Sequence, residues 1–393
     1  MSPAQDASNG AKVVVAMSGG VDSSVAALLL HEQGYEIIGV SMQVWDYRQH
    51  GGCDSRATCC APSDFMDARQ VAARVGVPYY VFDFEELFRH EVIDRFVESY
   101  HAGVTPNPCV DCNNRVKFLA LRERARRMGF YSVATGHYAQ IERSEAGWHL
   151  KRGQDGEKDQ SYFLYGLRQE ELPHTLFPVG GMTKAQVREL AREFGLKTAE
   201  KPESQDVCFV SGSVGEFVTR IGGRKSQGGA IVNSQGEILG SHEGIQNFTV
   251  GQRRGLGVSG TAEPLYVLAI DRTSNKVTVG VRSELERESF SVQELNWVSP
   301  ALATAGGPQE PIEVVAQLRY RNPGVRATVR TCADGSAEVR FLNEWTPVTP
   351  GQACVFYDKS NTEVLGGGRI LSHPVGSGLQ WGHRQGLGRT ACS

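Results

Sequence analysis

The stretch from Val13 to Gln33, VVVAMSGGVDSSVAALLLHEQ, limits what this chain can fold into more than any other. Val13 to Met17 is a continuously apolar, β-branched run, the pattern of a strand buried on both faces. Ser24 to Gln33 carries Val25, Leu28 and Leu29 at helical spacing, with Gly34 placed as a stop. Between them, Ser18-Gly19-Gly20-Val21-Asp22-Ser23 is predicted as the connecting loop. Two glycines allow a tight turn and close approach to a ligand, while the helix start offers unpaired N–H groups and a positive dipole end. Physically this is a pyrophosphate cradle. No Lys follows the glycines, so it is not a Walker A loop, and it is not GxGxxG.

Strands and helices alternate through the first half. Glu36 to Val44, Pro78 to Phe84 and Tyr131 to Thr135 read as buried strands, and Asp64 to Val75 and Glu85 to His101 as helices. The alternation predicts an α/β domain with a parallel sheet whose ligand sites lie at the carboxyl ends of the strands. Met42, near such an end, either packs on an adenine ring or is a core methionine. His137, just after a strand end, either contacts nucleotide or fills the crevice. The segment Thr183 to Gly195 is the cleanest helix, opened by a Thr183/Gln186 capping box, and reads as structural.

From Ser211 the composition turns glycine-rich, predicting a small β-rich domain. Between Thr219 and Gly260 five basic residues (Arg220, Arg224, Lys225, Arg253, Arg254) face two acids (Glu237, Glu243), a modest basic patch or an ordinary solvated surface. Pro311 to Arg321 alternates as a strand, with Ile312, Val314, Ala316, Leu318 and Tyr320 on one face, and the repeated short strands that follow predict a small barrel. The expected organisation is a catalytic domain over 1–211, a central β-rich domain over 212–283, a C-terminal β-barrel over 284–372 and a disordered tail over 373–393. No apolar run is long enough to span a membrane and the first ten residues lack a secretory pattern, so the cytoplasm is the expected location. A net charge of −3 leaves room for a local basic face but not a globally basic binder.

Nine cysteines in such a chain argue against a disulfide framework and for catalytic, metal-binding or buried thiols. Cys109 and Cys112 form a CxxC at a predicted helix start, where the dipole lowers thiol pKa, and Cys208 sits alone in a polar turn. The loop carrying Cys53, Cys59 and Cys60 is a weaker metal candidate. A second CxxC or a His pair, which a zinc ribbon needs, is absent from the sequence. A nucleotide-activating loop combined with isolated thiols points to sulfur transfer.

The SGGVDSS segment matches the SGGxDS signature of the ATP pyrophosphatase superfamily. With TPNPxxxCN, TGHYA, KDQSYFL, KPESQDVCF, LRYR and TPGQACVFYD in that order, the chain from about Lys12 to Ile370 closely resembles the tRNA-specific 2-thiouridylases. The resemblance implies ATP-dependent conversion of the wobble uridine of tRNA to 2-thiouridine. It implies that Ala16, Met17, Ser18, Gly19, Gly20, Val21, Asp22 and Ser23 hold ATP, with Mg2+, and that Met42 and Gly136 complete the pocket. Asn107, Pro108 and Cys109 match the segment that touches the target base. Cys112 matches the nucleophile and Cys208 the persulfide carrier, which a cysteine-desulfurase relay loads and which pairs with Cys112 as a disulfide. Lys158, Asp159, Gln160, Arg319 and Tyr320 match tRNA-contacting positions. One departure stands out: many members of the family carry an Asp acid/base where this chain has Cys109, and Asp111, two positions on, points away from that face. An alternative remains, in which Cys109, Cys112 and Cys208 ligate an iron–sulfur cluster. A further alternative is an ATP-pyrophosphatase ligase without thiol chemistry.

Overall fold

The computed structural model describes residues 10–45, 62–202, 207–210, 212–224, 226–260, 263–343 and 345–371. The expectations for Cys53, Cys59, Cys60, the centre of the KPESQDVCF segment and the C-terminal tail lie outside the described residues.

The first domain contains strands β1 (Lys12–Ala16), β2 (Glu36–Gln43), β3 (Tyr79–Asp83) and β4 (Ser132–Ala134), the hairpin β5 (Ala139–Ser144) and β6 (Gly147–Arg152), and β7 (Thr175–Leu176). Among the described residues, five of them form one parallel sheet in the order β3-β2-β1-β4-β7. Alternation along β1 explains how both faces are covered. Val14 joins an apolar cluster with Val40, Phe82, Phe88 and Phe96, while Val13 and Val15 join a second with Val25, Leu28 and Val71 on the opposite side. That second face is covered by helices α1 (Val21–Glu32) and α2 (Pro62–Val75). The first face is covered by α3, an unbroken helix over 85–101 that widens to π-type spacing at Arg89–Asp94. It also carries α4, over 108–127, which widens in the same way from Cys112 to Ala120. The capping-box helix α5 (Lys184–Glu193) starts as expected, with Thr183 Oγ1 accepting from the Gln186 N–H.

A further helix, α6 (Val214–Gly222), was not anticipated; the glycine-rich composition hid it. A Ser213/Glu216 capping box opens it, and Phe217 and Val218 bury in the same cluster as α3. Beyond it, β8 (Gly229–Val232), β9 (Ile238–His242), β10 (Tyr266–Asp271) and β11 (Lys276–Gly280) form a small sheet in the order β10-β11-β8-β9.

The C-terminal domain adds β12 (Glu286–Arg287), β13 (Ser289–Trp297), β14 (Ile312–Gln317), β15 (Val325–Thr331), β16 (Ala337–Phe341), β17 (Thr346–Pro347), β18 (Ala353–Tyr357) and β19 (Val364–Ile370). Six of them close into a barrel in the order β13-β16-β15-β14-β18-β19. The strand expected over 311–321 is shorter than its alternation suggested. It ends at Gln317, and Val314, Val315, Ala316, Gln317 and Leu318 are all buried. One face fills the barrel, whereas Val315 packs against the first domain and Gln317 Oε1 accepts from Arg152 Nη2 there. A polar residue on the outer face therefore means a domain joint, not solvent.

Candidate active site

The cradle is built by its own backbone. The helix α1 starts at Val21, so Asp22 and Ser23 lie in its first turn rather than in the preceding loop as expected. Ser23 Oγ accepts from the Ser18 N–H at 3.2 Å and donates to the Gly20 carbonyl at 3.1 Å, which closes the loop on itself. Gly19 has φ +72°, and a Cβ there would lie 2.3 Å from the Asp64 carbonyl oxygen. Gly136 is equally constrained: its Cβ would meet the Ser23 nitrogen at 2.6 Å, so the TGHYA turn abuts the start of α1. Ala16 and Met42 are partly buried against the α3 side of the sheet, Met17 is buried in the opposite cluster, and Ser18 is exposed at the mouth.

Several charged residues of the cradle escaped the sequence reading. Lys184 Nζ donates to both carboxylate oxygens of Asp22, at 2.7 and 2.8 Å, and Tyr138 Oη donates to the same carboxylate at 2.7 Å. The helix expected to be purely structural thus supplies a cation to the cradle. A lysine in the first turn opposes the helix dipole, and that mismatch was the available signal. Lys201 Nζ donates to the Gly19 carbonyl at 3.0 Å and to Asp64 and Asp67, each at 2.6 Å. Burial disfavours its charge, but the two carboxylates outweigh that and hold the ammonium above its ordinary range. His137 fills the crevice between Phe118 and Phe177, with Nδ1 2.7 Å from Thr135 Oγ1. Burial, with Lys117 nearby, pushes its pKa well down, so the imidazole is neutral.

The cysteines lie on the α3 side of the same sheet. Cys112 and Cys208 are both half-buried against the cluster that Ala16 and Met42 also border. Phe209 anchors the Cys208 turn, its ring lying 5.2 to 5.6 Å from those of Phe88, Phe96 and Phe217. Cys109, by contrast, is exposed at the start of α4. Among the described residues no three Cys, His, Asp or Glu side chains converge as a metal-ligand set. Asp111 is withdrawn from the thiols as its helical position predicts; its Oδ1 pairs with Arg369 Nη2 at 3.0 Å.

Asn107 and Pro108 open α4, and the Asn107 side chain bonds to Tyr162, whose hydroxyl donates to the Ala353 carbonyl at 2.8 Å. Asp159 is buried, accepting from Arg152 Nη1, the Gly153 N–H and the Ser161 hydroxyl. Gln160 is tied to Tyr138 through backbone and side chain. Their carboxylate and amide oxygens thus hold the protein together, while Lys158 is half-exposed beside them. Arg319 is exposed in the turn after β14 and donates to Thr349 Oγ1. Tyr320 packs on Phe163 at 4.5 Å, and the Phe163 carbonyl accepts from Asn113, the neighbour of Cys112.

Comparison with known proteins accounts for all three domains. Residues 11–212 match the tRNA methyl transferase HUP domain, 215–281 the tRNA methyl transferase PRC-barrel domain and 287–370 the aminomethyltransferase beta-barrel domain. The tRNA-specific 2-thiouridylase MnmA of Geobacter metallireducens is 50% identical over 365 residues, covering 91% of this chain and 96% of its own. The proteins of the same name from Geotalea uraniireducens and Parvibaculum lavamentivorans are 48% and 46% identical, over 91% and 92% of this chain and 94% and 90% of theirs. A solved 4-thiouridine synthetase–RNA complex with bound ATP overlaps 51% of this chain and 45% of its own, at 17% identity. Its TM-score of 0.32 is too low to argue from. Matched across all three domains from residue 11 to residue 370, the chain belongs to the tRNA-specific 2-thiouridylase family.

Proposed function

We propose that this protein thiolates carbon 2 of the wobble uridine of tRNA, using ATP to activate the uracil oxygen and Cys208 to carry the sulfur. The uracil O2 attacks the α-phosphorus of ATP, the new O–P bond forms, and pyrophosphate departs. A hydroxide-like leaving group is thereby converted into AMP. The terminal sulfur of a Cys208 persulfide then attacks C2, and AMP leaves with the original oxygen. The Cys112 thiolate attacks Cys208 Sγ and breaks the S–S bond. The electron pair stays on the sulfur now at C2, and a Cys112–Cys208 disulfide remains. Alternatively Cys112 attacks first, releasing hydrosulfide that adds to C2; the disulfide formed is the same. A thiol reductant restores both cysteines, and a donor protein of a cysteine-desulfurase relay reloads Cys208.

The observation that carries the reading is that Cys112 and Cys208 border one apolar cluster together with Ala16 and Met42 of the nucleotide side. Backbone N–H groups of the Ser18–Ser23 turn and the Lys184 ammonium supply the positive charge that a departing pyrophosphate needs. Mg2+ would travel with the ATP phosphates and offset the charge of the leaving group, with Asp22 as a carboxylate of the cradle able to meet it once Lys184 turns to the phosphates. Asn107, Pro108 and Cys109 would face the flipped base, which must leave the anticodon stack to reach this depth. Lys158, Arg319 and Tyr320 would meet the RNA, while Asp159 and Gln160 shape the segment that presents Lys158. With Asp111 committed to arginines, proton transfer at the base falls to Cys109, water or the nucleotide phosphates. No helix among the described residues is long and apolar enough to cross a membrane.

The test is direct. The protein is incubated with ATP, unmodified tRNA and a cysteine desulfurase with cysteine as the persulfide source, and the digested nucleosides are weighed. A uridine that gains sulfur for oxygen only when ATP is present is the expected result. ATP cleavage without any thionucleoside contradicts it.

A further inference from the structure

One of the two residues between the cysteines of the CxxC, Asp111, is held by another domain. The Asp111 side chain is 6% exposed, and its Oδ1 meets Arg369 Nη2 of β19 at 3.0 Å, Arg115 Nε at 3.9 Å and Arg95 Nε of α3 at 4.0 Å. Glu294 of β13 completes a ring, receiving Arg369 Nε at 3.6 Å and Arg95 Nη2 at 3.5 Å. Acid and base alternate around it: Asp111, Arg369, Glu294, Arg95. Glu294 reaches this position from a left-handed backbone, φ +52°, inside an irregularity where β13 loses register with β19 between Gln293 and Asn296. Such a conformation is disfavoured for a glutamate and persists only where surrounding contacts enforce it. Burial pushes the Asp111 carboxyl above its ordinary range even with Arg369, Arg95 and Arg115 opposing. The carboxylate is thus costly to bury, and Arg369 is its nearest compensation.

The barrel also grips the approach to the CxxC. Gln352 Nε2 donates to the Thr105 and Pro106 carbonyls at 2.9 and 3.2 Å, and the Thr105 N–H donates to the Pro350 carbonyl at 3.2 Å. The peptide entering Cys109 and the side chain preceding Cys112 are therefore both tied to residues some 250 positions later in the chain.

We propose that Arg369 is a positioning residue for Cys112, and that through the Asp111 ring the C-terminal barrel is a structural part of the sulfur-transfer site. This deepens the thiolation reading and rests on it. A buried carboxylate that loses its arginine is destabilised far more than a pair replaced together by apolar residues, which makes the pair separable by experiment.

The experiment compares the full-length protein with its Arg369→Met, Asp111→Leu and doubly substituted forms. Steady-state tRNA thiolation, ATP affinity and the rate of Cys112 alkylation by iodoacetamide, read by peptide mass, are measured for each. Arg369→Met is expected to lower kcat by about tenfold or more with the KM for tRNA within about twofold, because a small misplacement of a reacting group is enough to do so. It should also slow Cys112 alkylation by about threefold or more, since an Asp111 left with only its two longer arginine contacts puts more negative charge beside Cys112 and disfavours the thiolate. ATP affinity should hold, and the double substitution should recover most of both losses. Unchanged kcat and alkylation, a rise in KM alone, or a double variant no better than the single overturns the proposal. Should Arg369→Met fail to fold, Arg369→Lys keeps the charge but loses the fork between Asp111 and Glu294, and the same two rates should fall by smaller factors. The alkylation arm needs neither tRNA nor turnover, so it tests the ring even if the thiolation reading fails.

Discussion

The cradle and the cysteine segment are assembled on different principles. Gly19, Gly136, Asp22, Ser23, Lys184 and Lys201 all belong to the first domain, and the loop closes on its own backbone through Ser23. The segment around Cys109 and Cys112 has first-domain partners in Arg95, Arg115 and the Phe163 carbonyl, but these do not hold it alone. It is also held by Arg369, Gln352 and, through Tyr162, Ala353, all from the barrel. In the proposed mechanism nucleotide activation is thus the property of one domain and sulfur transfer that of a joint, so damage far away in sequence should reach the second without touching ATP.

The largest effect expected from attacking one side alone is at Gly19. Gly19→Ala places a Cβ 2.3 Å from the Asp64 carbonyl oxygen at a positive φ. Overpacking and strain of that kind cost about 1–3 kcal/mol, so ATP should bind roughly ten- to a hundredfold more weakly by calorimetry. Cys112 alkylation should be unaltered. The mirror case is Gly351→Ala in the barrel, where φ is +86° and a Cβ would lie 2.2 Å from Val104 Cγ1 and 2.8 Å from the Thr105 carbonyl oxygen. Thiolation should fall by about tenfold, on the same strain argument, with ATP affinity unchanged. Equal losses of both functions in either variant would erase the distinction. The smallest effect is expected at Arg319→Ala. Its removal should weaken tRNA binding evenly and lower the salt slope by about one, measured by titration across salt concentrations. A slope that stays the same takes Arg319 out of the interface.

The same contrast explains what could be read in advance. A loop whose shape is written in its own residues, two glycines and a serine that closes it, is legible from six letters. So is a parallel sheet, because Val13, Val14 and Val15 must be covered on both faces. Lys201 and Arg369 were not legible beside the site, and Lys184 only as a first-turn lysine at odds with its helix dipole, since each acquires its partner only when distant segments pack. The strand after Pro311 shows the same limit: Val315 and Gln317 sit on the expected polar face yet are buried, because a second domain covers it. The short helix α6 was missed for a different reason. Glycines on either side of it outweighed the Ser213/Glu216 capping box that marks its start.

The coupling of the two regions is tested most directly by a single turnover with the unsubstituted protein and its Cys112→Ser and Cys208→Ser forms, each given ATP, unmodified tRNA and a cysteine desulfurase with cysteine as the persulfide source. Pyrophosphate released in tRNA-dependent, enzyme-stoichiometric amounts, with no 2-thiouridine formed by either variant, is the predicted result. Thiolation at the unsubstituted rate by either one would contradict the account.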